Sequence, residues 1–180
     1  MSTTTENRTA LPTGTWALDI AHSTIGFELP YLGGTFRGQF RDVDATLDGD
    51  EPRLVGTARV ASVDVKDENL AAHLQSPDFF DAERHPELRF ESREVRVDGG
   101  VVRIHGDLTV RGETRPVELT GTLTGPITDG YGRNRVGLVL STAVDRTAFG
   151  LNWNMPLPSG EQALPHEVGL HAELYFVEQG

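Results

Sequence analysis

The sequence predicts an all-β protein, a closed antiparallel barrel, from three observations. Runs of alternating apolar and polar residues recur from Trp16 onward, as in strands that bury one face. Turn-forming residues separate the runs, and Asp98-Gly99-Gly100 is a strong hairpin signal. Only one convincing helical stretch interrupts roughly eight long runs, a pattern that favours a closed barrel over a layered α/β domain.

Each predicted strand is defined by the residues that share one of its faces. A helix is predicted over 67–75, where Leu70 and Leu74 lie four residues apart after an aspartate-rich start. Ser76-Pro77 then indicates a second short helical turn. A strand is predicted over 55–65, and the faces of the other runs are Ile25, Phe27, Leu29 and Tyr31; Phe36, Gly38 and Phe40; Val95 and Val97; Val102, Ile104, Leu108 and Val110; Val117, Leu119, Gly121 and Leu123; Val136, Leu138, Leu140 and Val144; Val168, Leu170, Ala172, Leu174 and Phe176.

The length of 180 residues suits one domain with a substantial core. No internal repeat or linker divides the chain. The first 12 residues are polar and predict a flexible tail. We therefore expect a tail over residues 1–12 and a single barrel domain over residues 13–180.

The charge balance excludes some classes of partner. Sixteen basic and 27 acidic residues give a net charge of -11, which argues against nucleic acid and against electrostatic adsorption to an anionic membrane. The chain has no cysteine, which excludes disulfides, thiolate chemistry and cysteine zinc sites. Because no apolar segment resembles a signal peptide or a bilayer span, we expect a soluble cytoplasmic protein.

A barrel of eight strands is either filled by side chains or holds one slender ligand. Gly38, Gly106, Gly121 and Ala172 share faces with large apolar residues, so they either leave interior volume or only relieve curvature. The residues predicted to line a cavity, if they are not simply core, are Phe27, Phe36, Phe40, Phe79, Phe80, Leu88, Phe90, Phe149, Leu151 and Trp153. The candidate polar contacts to a ligand head group, if they are not structural, are His22, Tyr31, Arg146, Asn152 and Asn154.

Two adjacent rings stand out between Pro77 and Pro86. Proline lacks the amide donor that continuous strand pairing needs, so this segment interrupts the sheet. Phe79 and Phe80 cannot both face one side of a regular strand. We therefore predict that the segment is a lid and that at least one ring closes the barrel and touches a ligand.

Catalytic and metal sites are weakly supported, and none is predicted. His171 and Glu173 alternate with the inward face of the last strand and should point to solvent, without a cysteine pair to complete a zinc site. An acidic cluster near His73 and His85 fits helix capping better than a cation site; its members are Asp67, Glu68, Asp78, Asp81 and Glu83. The sequence shows no nucleophile elbow, Walker loop or dinucleotide fingerprint.

Several segments together resemble one family. Trp16 to Phe27 (Trp-Ala-Leu-Asp-Ile-Ala-His-Ser-Thr-Ile-Gly-Phe), His73 to Phe90 and Gly106 to Val117 resemble signatures of the YceI-like family. Asp145 to Asn152 is a weaker match. In order and spacing the matches cover roughly residues 14–177. The chain departs at Tyr31, where many members carry a histidine, so a head-group role for that histidine does not transfer.

The resemblance implies an extended lipocalin-like eight-stranded antiparallel β-barrel with one or two short helices. It implies a non-enzymatic carrier whose ligand is a polyisoprenoid, an isoprenoid quinone or a fatty-acid-like lipid, with no other cofactor. It also implies a homodimer, and lipid exchange would involve transient membrane contact. Two alternatives stay open: an enzyme that modifies a lipid or quinone with His22 or His73 as acid–base group, and an interaction barrel with a fully packed interior.

Overall fold

The computed structural model describes residues 10–179, which form eleven β-strands, one α-helix and two short 3₁₀ turns. The helix α1 spans Glu68–Gln75, and the 3₁₀ turns span Val60–Ser62 and Arg146–Phe149. The strands are β1 (Thr15–Leu18), β2 (Thr24–Tyr31), β3 (Gly34–Phe40), β4 (Val43–Asp48), β5 (Arg53–Arg59), β6 (Val63–Asp64), β7 (Glu87–Asp98), β8 (Val101–Val110), β9 (Glu113–Thr128), β10 (Asn134–Asp145) and β11 (Glu167–Gln179).

Antiparallel pairing closes the sheet into a ring. β1 pairs with both β4 and β11, so the closed order is β1-β4-β5-β7-β8-β9-β10-β11. Along β11, residues 176–179 pair with β1 and residues 169–173 pair with β2, so β1 and β2 are two segments of one wall. The predicted closed eight-stranded antiparallel barrel is confirmed. The predicted strand over 55–65 is divided into β5, a 3₁₀ turn and β6.

The helix begins at its predicted capping residue. The carboxylate of Asp67 accepts a hydrogen bond of 3.0 Å from the backbone N–H of Leu70, which satisfies a donor that the first helical turn leaves free. After Ser76 the second predicted helical turn is a series of hydrogen-bonded turns instead. No helix within residues 10–179 is both long and apolar enough to cross a bilayer.

One end of the barrel is filled by side chains. Its centre holds residues that are at most 2% exposed: Trp16, Leu47, Leu54, Val102, Ile104, Val136, Leu138 and Phe176. We call this region, where β1 pairs with the end of β11, the packed end. Because close packing leaves no room for a long ligand there, any interior site must lie toward the other end of the barrel.

Of the two alternatives for the inward glycines, free interior volume does not apply to Gly38 and Gly106. The ring of Phe27 lies across Gly38, and a Cβ on Gly38 would come within 2.4 Å of that ring. The ring of Phe90 covers Gly106 in the same way, at 2.6 Å. Each aromatic residue therefore occupies the space beside a glycine, and the glycine allows the ring to lie flat against the wall.

Two residues of the expected tail, Leu11 and Pro12, pack against the barrel. Residues 1–9 of the expected tail lie outside the described residues. Leu11 is 4% exposed and packs in the core of the packed end, and Pro12 is also buried. Pro12 also packs closely against the turn after β4, since its carbonyl oxygen lies where a side chain on Gly49 would be. The packed part of the chain therefore begins before residue 13.

Candidate functional site

A cavity of about 220 Å³ occupies the barrel beyond the packed end. Inward residues of β2, β3, β5 and β7 to β11 form its wall. Along β11 these positions run from Val168 to Leu174, about 20 Å at roughly 3.3 Å per residue. The wall is almost wholly apolar. The cavity is therefore an elongated apolar space, and its shape suits a chain better than a compact polar molecule.

Eight of the ten residues predicted to line a cavity do line it: Phe27, Phe40, Phe79, Phe80, Leu88, Phe90, Phe149 and Leu151. Phe36 and Trp153 do not. Phe36 packs beside Phe27, with ring centroids 6.4 Å apart, and Trp153 packs beside Phe79 at 5.3 Å. The aliphatic part of the wall was placed on predicted strand faces but not named as cavity-lining; it includes Ile25, Leu29, Leu108, Val110, Val117, Leu119, Leu140, Val144, Val168, Leu170, Ala172 and Leu174. Alternation shows that they share a face, but it does not show which part of that face borders open space.

The segment predicted as a lid covers the cavity end. We call residues 76–86 the lid segment. Phe80 reaches Phe40 and Phe27, with ring centroids 5.8 and 6.3 Å apart. Phe79 packs instead against Trp153 and against His73, at 5.3 and 5.0 Å. Both rings line the cavity, because the turn geometry allows two adjacent side chains to reach it as a regular strand would not.

Backbone hydrogen bonds fix this segment to the end of α1. The N–H of Phe80 donates to the carbonyl of Leu74 at 2.9 Å, and the N–H groups of Phe79 and Asp81 donate to Ser76 at 3.0 Å. Asp81 has a φ of 52°, in the left-handed region. These bonds satisfy carbonyls that the helix would otherwise leave free, so the position of the rings follows from where the helix ends.

Arg111 lies in the turn between β8 and β9 and donates hydrogen bonds to two segments that cover the cavity end. These are the lid segment and the loop that begins at Gly150. Its guanidinium donates one hydrogen bond to the carbonyl of Gly150 and another, of 2.8 Å, to the carbonyl of Pro77 in the lid segment. The next residue, Gly112, has a φ of 74° and lies under the ring of His85. From the sequence, Arg111 is only part of the Gly106 to Val117 signature, because nothing in the sequence places it beside residues 77 and 150.

Replacing Arg111 with alanine is expected to weaken the attachment of the lid segment and of the loop at Gly150 to the barrel. The variant loses two charge-assisted hydrogen bonds at a half-buried site, so we expect the free energy of unfolding to fall by about 1–2 kcal/mol. A hydrophobic dye bound in the cavity should dissociate several-fold faster. Stopped-flow dye release beside urea denaturation measures both quantities. Arg115→Ala, which removes an exposed arginine of β9, is the matched control. Equal dye release from the two variants would contradict the role of Arg111.

Of the predicted polar contacts, only Arg146 lines the cavity. His22 pairs with Asp19 at 2.7 Å through a side chain that is 71% exposed. Tyr31 is 56% exposed at the tip of the β2–β3 hairpin, and Asn152 is exposed. The amide of Asn154 binds the backbone N–H and carbonyl of Leu164. The structure places these four side chains away from the cavity wall because they pair locally or end in solvent.

Arg146 follows β10 and is 6% exposed. Its Nε donates to the carbonyl of Pro165 at 2.8 Å, and its Nη1 donates to the carbonyls of Leu151 and Trp153. Burial lowers the pKa of Arg146, and the charge of Asp145 opposes that shift. The three carbonyls that accept these hydrogen bonds belong to residues 151–165, so the guanidinium holds the loop over residues 150–166 across the cavity end.

The histidines are poorly placed for chemistry inside the cavity. Neither His22 nor His73 lines it, and Nε2 of His73 pairs with Asp78 at 2.9 Å. His171 lies in the wall, but its imidazole packs against Gly26, on the face opposite to Leu170 and Ala172. Within residues 10–179 no group of three or more histidine and carboxylate side chains is arranged to hold a metal ion.

Comparisons with known proteins agree with this architecture. A UPF0312 protein of Photorhabdus laumondii is 33% identical over 149 residues, which are 79% of this chain and 78% of that protein. The YceI protein of Campylobacter jejuni superposes with a TM-score of 0.71 at 25% identity, covering 91% and 97% of the two chains. A polyisoprenoid binding domain from Saccharophagus degradans has a TM-score of 0.66 at 10% identity, covering 96% and 100%.

The family assignment follows from a match over nearly the whole barrel. The YceI-like domain model matches residues 16–176, from the first strand to the last. This range contains the ring of strands, the lid segment and the cavity. The resemblance of the sequence signatures is thereby confirmed. The chain belongs to the YceI-like domain family.

Proposed function

We propose that this protein binds a long apolar amphiphile in the barrel and carries it without modifying it chemically. The observation that carries the proposal is the elongated apolar cavity closed by the rings of Phe79 and Phe80. The shared fold with a polyisoprenoid binding domain supports it. A polyisoprenoid, an isoprenoid quinone and a fatty-acid-like lipid each supply a chain of the required kind.

The energetics favour a carrier over a permanent store. Burying one methylene from water contributes about 0.8 kcal/mol, so a long chain binds strongly from water. In a cell the same chain would otherwise lie in a membrane, where it is already out of water. The net free energy of transfer into the barrel is therefore small, and the lipid exchanges reversibly during transient contact with a membrane.

Neither histidine named for the enzymatic alternative lines the cavity. General acid–base catalysis needs a side chain within hydrogen-bond reach of the reacting atom. His22 lies in an exposed turn, and His73 packs outside the cavity wall against Trp153, with ring centroids 4.8 Å apart. A non-enzymatic role is the simpler account of this geometry.

Extraction of protein purified without detergent tests the proposal. We expect organic extraction and mass spectrometry to recover a long-chain lipid at close to one per chain. The same lipid should return unchanged after long incubation. A barrel that is recovered empty and also fails to bind added prenyl quinones would overturn the carrier function, and a chemically altered lipid would favour the enzyme.

Two further predictions concern assembly and location. We propose that the chain forms a homodimer, as the family resemblance implies, and that it is located in the cytoplasm. Size-exclusion chromatography with light scattering measures the assembly, and a monomer at micromolar concentration would contradict it. Fractionation of the native host measures the location.

A further inference from the structure

One residue at the cavity wall combines full charge with deep burial. Two arginines contribute to the wall, Arg89 and Arg146. The side chain of Arg89 is 44% exposed and pairs with Glu91. Arg146 is 6% exposed and lies among Phe149, Leu151 and other apolar residues at the lid end of the cavity. Any charge-specific recognition inside the cavity must therefore involve Arg146.

The guanidinium of Arg146 is only partly satisfied. Its Nε and Nη1 donate to three backbone carbonyls, whereas the buried Nη2 has no hydrogen-bond partner among residues 10–179. A buried donor without a partner is rare and costly, so an unpaired nitrogen beside a cavity points to a ligand atom that completes it.

In the part of the chain that the structure describes, the guanidinium of Arg146 also forms no ion pair. Within residues 10–179 no carboxylate oxygen lies within the 4.0 Å of an ion pair with it, although ion pairs are common elsewhere on the barrel. The carboxylate of Asp145, its neighbour in the chain, is held by the N–H and hydroxyl of Thr147 at 2.9 and 2.6 Å. The groups that accept from the guanidinium are all neutral carbonyls, and Asp145 acts on its charge without forming an ion pair. A buried cation with no carboxylate in contact favours an anionic ligand.

We propose that Arg146 binds the anionic oxygen head group of the carried amphiphile, a carboxylate or a phosphate, through Nη2. This inference rests on the proposed carrier function and names its ligand class. The tail then runs from the lid end past Leu170 and Ala172 toward the packed end. The head lies beneath the loop over residues 150–166, so the ligand enters tail first. A neutral quinone would supply an acceptor but no counter-charge, whereas a carboxylate or a phosphate supplies both to the buried guanidinium.

Matched ligand pairs test this inference on delipidated protein. Palmitate is compared with hexadecanol, and geranylgeranyl phosphate with geranylgeraniol, by displacement of a fluorescent dye at neutral pH. We expect each anion to bind at least about tenfold more tightly than its alcohol. The pair with the larger ratio distinguishes carboxylate from phosphate as the preferred head group. Arg146→Gln should bring both ratios close to one, while Arg146→Lys keeps part of the preference. Arg96→Gln, an exposed arginine of β7, should leave the ratios unchanged.

A second measurement does not depend on the folding of any variant. In the parent protein, carboxyl-labelled palmitate is titrated by carbon-13 NMR. A guanidinium contact should hold the pKa of the bound carboxyl below that of an exposed carboxyl, because it favours the charged form. A raised pKa would place the head in an apolar environment and overturn the inference.

The outcomes separate this inference from the carrier function. If anions and alcohols bind the parent equally well, Arg146 is not a head-group site, although the protein remains a lipid carrier. If none of the four compounds binds, the carrier function itself fails. A preference for anions that persists in Arg146→Gln would assign recognition to another group.

Discussion

Replacing Ala172 with phenylalanine is expected to remove most lipid binding while the barrel stays folded. Ala172 lies in the middle of β11, between the inward residues Leu170 and Leu174, and its side chain faces the cavity. A benzyl group at this position projects into the space that a ligand chain must cross. Displacing three methylenes of the ligand into water costs about 2.4 kcal/mol, or roughly fiftyfold in affinity.

The variant should fold because the added ring enters existing space. Overpacking a filled core costs about 1–3 kcal/mol, and the cavity beside Ala172 reduces that cost. Val139→Phe is the matched control, since Val139 lies on the outer face of the neighbouring strand and is 42% exposed. Dye titration and thermal denaturation of both variants provide the measurement. Parental affinity in Ala172→Phe would show that the chain does not pass this point.

Replacing both Phe79 and Phe80 with alanine is expected to accelerate ligand release, by roughly tenfold or more. Phe80 packs against Phe27 and Phe40 across the cavity end, and Phe79 is 8% exposed beside Trp153. Removing the rings opens the cover but leaves the strand pairing intact. Each truncation should cost about 2–4 kcal/mol of stability, with the larger share at the more deeply buried Phe79.

Vesicle transfer of a bound fluorescent lipid, beside a thermal melt, measures this result. Phe36→Ala is the matched control, because it removes a half-buried ring near the same end that does not line the cavity. A double variant that unfolds outright would make the lid segment part of the core. Transfer at the parental rate would make it a surface feature, and either outcome contradicts a lid.

The strand pattern could be predicted from the sequence because alternation is a local property. One face of β10 carries Val136, Leu138 and Leu140, and the structure places all three inside the barrel. The cap of α1 could be predicted for the same reason, since Asp67 acts on an N–H only three residues away. Most aromatic residues of the cavity wall could be predicted from such local patterns.

The open and filled parts of the interior could not be predicted in this way. An inward glycine looks the same in sequence whether the space beside it is empty or occupied. The ring that covers Gly38 comes from Phe27 on the paired strand, and pairing register is a tertiary property. Strand pairing therefore decides which part of the interior is the packed end and which part is the cavity.

The candidate polar contacts show most clearly the difference between what the sequence determines and what the tertiary structure decides. Arg146 and Asn152 come from one irregular stretch and are equally plausible head-group contacts by composition. The structure buries Arg146 at the cavity and exposes Asn152. The sequence alone determined an all-β barrel with apolar inner faces, since those follow from period-two patterning. Only the tertiary structure decided which polar group meets the cavity, because the path of a loop depends on hydrogen bonds between residues distant in the chain.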